Sequence, residues 1–426
     1  MIEVSRQQSE VRIKLSFPQL VRHSSLSGGG KRESRKSLAY SVSGLFLASF
    51  LAFLTGCSTP SIETARANFY AGRYAQANEN LKELPSDDDK DEILYLSERG
   101  MIRHVLRLYD ESNKDWRKAT EINERLPDYS VTKTTASLLV NDRMLTYRGM
   151  PFERTFIYTF LAKNYLAQSN WDYAAICARN IITHLDNLNG FPDISYSRYM
   201  AGFCLELIND RGNAAIQYRT AGKAIKSASI VPDSGQIKPA LSNAFDLAHS
   251  NAFIRAADAR EAYELVCFVG IGKMPKWCRS EYEFDMAPFA EIYAGDKYLG
   301  RCYPFANTAE LMSDSKKRLA VIQAVKDTSR IVIKEVISET VESQNEALGG
   351  ITRLILFSLE QPDTRCWETL PLWLEVARVP CPANLKSYKV VFKTSTGVAL
   401  KSKTIEAPIT RRGNIFVSFC RDLEGE

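Results

Sequence analysis

The sequence predicts a mostly α-helical chain, a solenoid of paired helices closed by a small C-terminal β-sandwich-like domain, and so an α+β protein overall. Three observations predict it. A unit of two amphipathic helices recurs through residues 61–226, with small residues and aromatics returning at matched places. Helical periodicity gives way to β-forming alternation at Tyr263. After Pro362, short runs alternate with period two, as in Tyr388, Val390 and Phe392 against Lys389, Val391 and Lys393.

The first segment is read as an export signal. Lys31, Arg32, Arg35 and Lys36 precede an apolar stretch over residues 38–54, and Leu54-Thr55-Gly56-Cys57 follows the lipobox pattern, cut just before a cysteine that carries lipid. The apolar stretch is too short and too rich in Ser and Gly for a spanning helix, which needs about 20 apolar residues. The n-region is unusually long, so the true start is expected downstream of Met1. Acylated Cys57 is then the anchor, each buried CH2 contributing about 0.8 kcal/mol. Ser58 fits sorting to an outer membrane, with the protein on the periplasmic side.

Removing residues 1–56 changes the charge argument. Their eight Lys/Arg and three Asp/Glu account for the whole formal net charge of +5, leaving a neutral mature chain. A neutral chain gives no reason to expect a nucleic-acid partner. The expected partners are the membrane, through the lipid, and an envelope protein or peptide. Eight of the nine cysteines follow Cys57. None has zinc-ligand spacing, so neither metal nor cofactor is expected. Cys267 and Cys278 flank a turn, and Cys177 and Cys204 fall on neighbouring helices. Buried thiols are the favoured reading of both pairs over disulfides.

Residues 57–262 form the helical part. Its units carry Ala65, Phe69, Gly72 and Ala77; Gly100, Ser112 and Trp116; Tyr158, Ala162, Tyr165 and Ala174; and Tyr199, Gly202, Ala214 and Tyr218. Small residues mark close helix approach and aromatics fill the gaps. The pattern resembles the tetratricopeptide repeat, whose pitch is about 34 residues. Ala77, Ser112, Ala174 and Ala214 are spaced by 35, 62 and 40 residues, which places an insertion before Pro151. Stacked helix pairs commonly bind extended peptides in a concave groove. Tyr158, Tyr165 and Arg198 are the candidate groove residues, with Asn141, Asp142 and Tyr147 of the insertion. The acidic run at residues 87–92 lacks the alternation and glycine of a calcium loop and is read as a solvated turn. Residues 236–262 are expected to form a closing helix.

Residues 263–361 read as a mixed connecting region and 362–426 as the small β domain. Gly270-Ile271-Gly272-Lys273 lacks the further residues of a phosphate loop and is read as a strand-ending turn. Residues 279–310 are irregular, helical faces follow over 315–348, and strands are expected near 372–379, 388–394, 401–406 and 414–419. Asp363, Arg365 and Trp367 form a candidate binding group or a structural corner.

The combination of the lipobox, the degenerate repeats, Asn141-Asp142 with Tyr147-x-Gly149-x-x-Phe152-Glu153, and Asp363-Thr364-Arg365-x-Trp367-x-Thr369-Leu370-Pro371 resembles a family of uncharacterised bacterial lipoproteins with tetratricopeptide-like N-terminal halves. The resemblance covers most of residues 57–422 and implies architecture without a chemistry. At the turn, Lys273-Met274 departs from the expected Arg-Ala.

No Gly-x-Ser-x-Gly or His-Glu-x-x-His occurs. His104, His184 and His249 are the histidines after Cys57, each isolated on a helical pattern. The expected role is therefore a lipid-anchored interaction scaffold with no catalytic activity. The alternative is carbohydrate or surface binding by the β domain, with Trp367 and Trp373 as stacking platforms; an envelope hydrolase ranks lower.

Overall fold

A computed structural model describes residues 62–83, 90–126, 146–225, 227–239, 263–275, 287–322, 364–406 and 409–423. These belong to one compact unit, Pro60–Glu426. Cys57, Asn141, Asp142, Cys278 and Asp363 lie outside the described residues, as do 240–262 and 323–363.

Eight helices form four hairpins: α1 (Ile62–Tyr70) with α2 (Tyr74–Asn80), α3 (Glu92–Val105) with α4 (Tyr109–Arg125), α5 (Pro151–Ala167) with α6 (Trp171–Asp186), and α7 (Ser195–Leu207) with α8 (Arg211–Gly222). Each hairpin turns on one residue with positive φ: Gly72 at 74°, Arg107 at 61°, Ser169 at 57° and Asn209 at 67°. The next residue donates its N–H to the carbonyl five positions back. These bonds are Arg73 to Asn68 (2.9 Å), Leu108 to Arg103 (2.9 Å), Asn170 to Tyr165 (2.8 Å) and Asp210 to Leu205 (2.9 Å). This is a Schellman ending, which satisfies the last carbonyls of the first helix while reversing the chain. It recurs in all four units although only the first has glycine there.

The turns set the register of the small residues. Ala65, Gly100, Ala162 and Gly202 each stand seven residues before the left-handed position, and Ala77, Ser112, Ala174 and Ala214 five after it. All eight are buried. Where the first helix carries glycine, the second carries a large ring nine residues after the turn: Gly100 meets Trp116, and Gly202 meets Tyr218. Where it carries alanine, Leu81 or Ala178 stands there instead. The two sides compensate in volume, as close packing requires.

Two short strands, β1 (Ala228–Ile230) and β2 (Ile237–Pro239), pair antiparallel after the last hairpin. The expected closing helix is therefore wrong at its start; Pro239 and the pairing of Ile237 with Ile230 favour a hairpin there.

The remaining strands build two sheets. One has the order β10 (Ile409–Arg412), β11 (Ile415–Arg421), β3 (Tyr263–Ile271), β7 (Trp373–Cys381) and β6 (Tyr303–Asn307). The other runs β5 (Lys297–Arg301), β4 (Phe289–Ala294), β8 (Tyr388–Lys393) and β9 (Ala399–Ile405). Among the described strands only the β11–β3 pair is parallel. The stretch expected to be irregular thus contains β4, β5 and β6, and the chain is helical over 308–322. Strands from both sides of residue 361 pair with one another in both sheets, β4 with β8 in one and β3 with β7 and β11 in the other. β8 and β11 need neighbours for their backbone hydrogen bonds, and β4 and β3 supply them.

β3 explains the layering. Val266 and Phe268 point into the core shared with the helices, while Leu265, Cys267, Val269 and Ile271 point into a second core between the sheets. The five-stranded sheet is therefore the middle of three layers, buried on both faces, and β3 reads as a continuous apolar run for that reason.

Candidate partner-binding crevice

The inner face of the repeat, where a groove was expected, is filled by the chain itself. Its sheet-side packing sets Phe268 against Tyr196, Tyr199 and Phe203 of α7, with ring centroids 5.8, 6.2 and 5.6 Å apart. Arg378 of β7 donates to both Glu206 oxygens at 2.8 Å and to Glu264 at 2.9 Å, tying α7 to the sheet. Toward the first repeats, residues 364–371 cross the helices as a strap that turns at 368–370.

That strap is held by its backbone. Glu98 accepts the N–H groups of Glu368 at 2.8 Å and Thr369 at 3.2 Å, and Glu153 accepts that of Trp367 at 2.6 Å. Arg66 donates to the Cys366 carbonyl at 2.7 Å and to the Glu368 carboxylate at 3.0 Å, and the Tyr70 hydroxyl donates to the Glu368 carbonyl at 2.5 Å. Glu98 and Glu153 are 0% and 2% exposed, so their oxygens need these donors, and Arg66 supplies Glu98 with a further one at 2.8 Å. Burial disfavours the Arg66 cation, but the Glu98 and Glu368 carboxylates outweigh it and raise its pKa. The Trp367 indole is 1% exposed, wedged between Trp116 and Phe160 at 6.1 and 5.9 Å. It is not a platform for a sugar, which removes the main support for carbohydrate binding.

The structure joins three of the sequence candidates here. Glu153 holds Trp367 through one oxygen and the Tyr147 hydroxyl, at 3.0 Å, through the other. Arg365 forms an ion pair with Asp91 and lies 5.4 Å from the Tyr147 ring centroid. Tyr147, Arg365 and Trp367 are thus one structural joint. Arg198 belongs elsewhere: it is 6% exposed and bonded to Asp186, Asp193 and Gln217.

Tyr158 and Tyr165 face a different surface. α4 and α6 both pack on α5, which forms the floor of a crevice between them. At one end Tyr165 stacks on Tyr173 at 5.3 Å, and Tyr173 is 52% exposed. At the other end, a cavity of about 210 Å³ is lined by Asn123 and Glu124 of α4, Arg154 and Tyr158 of α5, and His184 of α6. The Tyr158 hydroxyl donates to Glu124 Oε1 at 3.0 Å, and its ring lies 5.0 Å from that of His184. Burial and then Glu124 push the Tyr158 phenol well up, so it stays a donor. α4 is fixed to the floor by Asn164, which donates to Ser112 and Asn113 at 2.9 Å each and meets His104 Nδ1 at 2.6 Å.

Sequence reasoning missed Glu98, Asn123, Glu124 and His184 as site residues. Glu98 had a readable signal: with Leu94, Ile102 and Val105 it falls on one stripe of α3, a charge where periodicity calls for an apolar residue. The other three sit at ordinary polar positions. The thiols expected to be buried are so: Cys177 and Cys204 are 5% and 0% exposed and free, and burial pushes Cys177 up to about 12.

No protein-family model and no curated protein matches the chain. Among solved structures it is similar to MamA AMB-1, at 16% identity and a TM-score of 0.24, over 37% of this chain and 66% of that one. It is also similar to the Rap conjugation gene regulator of the plasmid pLS20 in complex with the Phr* peptide, at 13% identity and a TM-score of 0.25, over 38% of this chain and 39% of that one. In both cases the match spans less than two thirds of the other chain.

Proposed function

We propose that this chain is a lipid-anchored cell-envelope protein whose helical repeats act as a protein–protein interaction scaffold, meeting its partner at the α4–α6 crevice. The observation that carries this reading is the division of the repeat's two surfaces. The inner face is used up by the strap and the middle sheet, while the crevice keeps exposed Tyr173 at one end and a polar cavity at the other. Aromatic surface next to polar groups is the composition of a contact site. The lipobox supports anchorage through Cys57, with the mature chain on the periplasmic side of an outer membrane. Among the described residues no helix is long and apolar enough to cross a membrane.

Two experiments test the two parts. A photo-crosslinking residue at Tyr173, in the full chain in its native membrane, should capture a defined protein or peptide, and the same residue at exposed Val398 of the β-layer should not. Equal capture from both positions, or none from Tyr173, would overturn the crevice. Replacing Cys57 by alanine should abolish the acyl mass and release the chain from the membrane fraction. Retention of both would remove the anchor.

A further inference from the structure

Beyond offering a surface, the crevice has a selective end. We infer that the cavity between α4, α5 and α6 receives the basic side chain, lysine or arginine, of the partner segment that docks there; this rests on the scaffold reading above. The first ground is an unused acceptor. Asn123 is 7% exposed, lines the cavity, and its Oδ1 has no hydrogen-bond partner. A buried carbonyl oxygen without a donor costs about 1–3 kcal/mol, so a site that supplies the donor recovers it. The second ground is charge. Glu124 stands beside Asn123, and the Tyr158 hydroxyl donates to its Oε1, which leaves Oε2 facing the cavity's ligand. Carboxylate and amide oxygens accept but do not donate there, and an ammonium or guanidinium donates without accepting.

The third ground is the walls. The rings of Tyr158 and His184 lie 5.0 Å apart at 37°, and the Tyr158 face attracts a cation while covering the apolar stem behind it. Size sets the scale of the ligand. About 210 Å³ is below the roughly 300–1,000 Å³ of small-molecule sites, so one side chain fits better than a cofactor. Arg154 is the cation of the lining.

The test uses the full chain and four probes: the N-acetyl amides of arginine, lysine, norleucine and glutamate, read by saturation-transfer NMR. Arginine and lysine amides should saturate through their side-chain methylenes, and both signals should weaken about tenfold in affinity in Glu124→Gln. That substitution keeps the acceptor for Tyr158, so an unchanged melting temperature shows that folding is intact. Asn123→Leu should weaken the same two probes. Equal saturation by norleucine amide, stronger saturation by glutamate amide, or indifference to Glu124→Gln would overturn the inference. Crosslinking from Tyr173 separates the two readings: capture without any basic preference leaves the scaffold standing and removes only the cation pocket.

Discussion

Gly100→Ala probes the packing rule of the repeats. A Cβ placed on Gly100 would lie 2.3 Å from Trp116 Nε1 and 2.6 Å from its Cδ1 and Cε2. Trp116 cannot swing away, because it is 0% exposed and boxed in by His104, Phe160 and Trp367 at 5.9, 5.8 and 6.1 Å. Overpacking a filled core costs about 1–3 kcal/mol. Displacing the indole also strains its 3.3 Å bond to the Ser97 carbonyl, worth about 0.5–1.5 kcal/mol. Against this, replacing a mid-helix glycine by alanine gains about 1 kcal/mol in helix propensity. The balance is a loss of about 0.5–3.5 kcal/mol. Gly212→Ala is the control: nothing lies within 4 Å of its would-be Cβ, so it should be neutral or stabilising by about 0.5–1 kcal/mol. Equilibrium urea unfolding followed by tryptophan fluorescence reads both. A Gly100→Ala protein as stable as the parent would refute the pairing of small and large residues across the hairpin.

Three further outcomes follow from buried titratable groups. Burial raises Glu375 to about 8, despite its bond from the Ala290 N–H, so its neutral form is the stable one. Folding then takes up a proton between pH 4.5 and 8, and this contribution, on the order of several kcal/mol, is lost as pH rises through that window; in thermal melts Glu375→Gln should flatten the decline. His104 runs the opposite way: burial, then Lys163, lowers it to about 3, so its contribution is complete above pH 6.5 and is lost as pH falls toward 3. His104→Gln keeps a donor for Asn164 and should shift the acid unfolding midpoint downward. Finally, burial holds Cys177 and Cys267 up to about 12, so at pH 7.5 both should resist iodoacetamide until urea unfolds the chain; fast labelling of either thiol in the native protein, read by peptide mass, would contradict their placement.

The helical half was legible because its information is local. Ala77, Ser112, Ala174 and Ala214 mark the repeat correctly, since each keeps a fixed distance from its turn even where Arg107 or Ser169 replaces glycine. Strands β7, β8, β9 and β11 were equally readable from period-two runs. Their partners were not. β3 pairs with β11 across about 150 residues, and nothing in either strand names the other. β4 and β5 were hidden because Glu291 and Arg301 break their apolar alternation, while Glu291 is buried against Lys393 and Tyr293, and β6 was hidden by Pro304 within it. The site shows the same division. Tyr147, Arg365 and Trp367 stood out by residue type and do come together, yet as a joint whose organiser is Glu153. Tyr158 and Tyr165 were assigned to the concave groove and lie instead between α4 and α6, Tyr158 at the cavity and Tyr165 against Tyr173.

The occupied inner face is the claim on which the rest depends, and amide hydrogen exchange of the full chain tests it directly. The N–H groups of Trp367, Glu368 and Thr369 are bonded to buried Glu153 and Glu98, so they should exchange only with global unfolding, as slowly as Val266 and Phe268 of β3. Exchange of the three strap amides at the rate of an exposed loop, with β3 still protected, would contradict the account and return the inner face to the list of open binding surfaces.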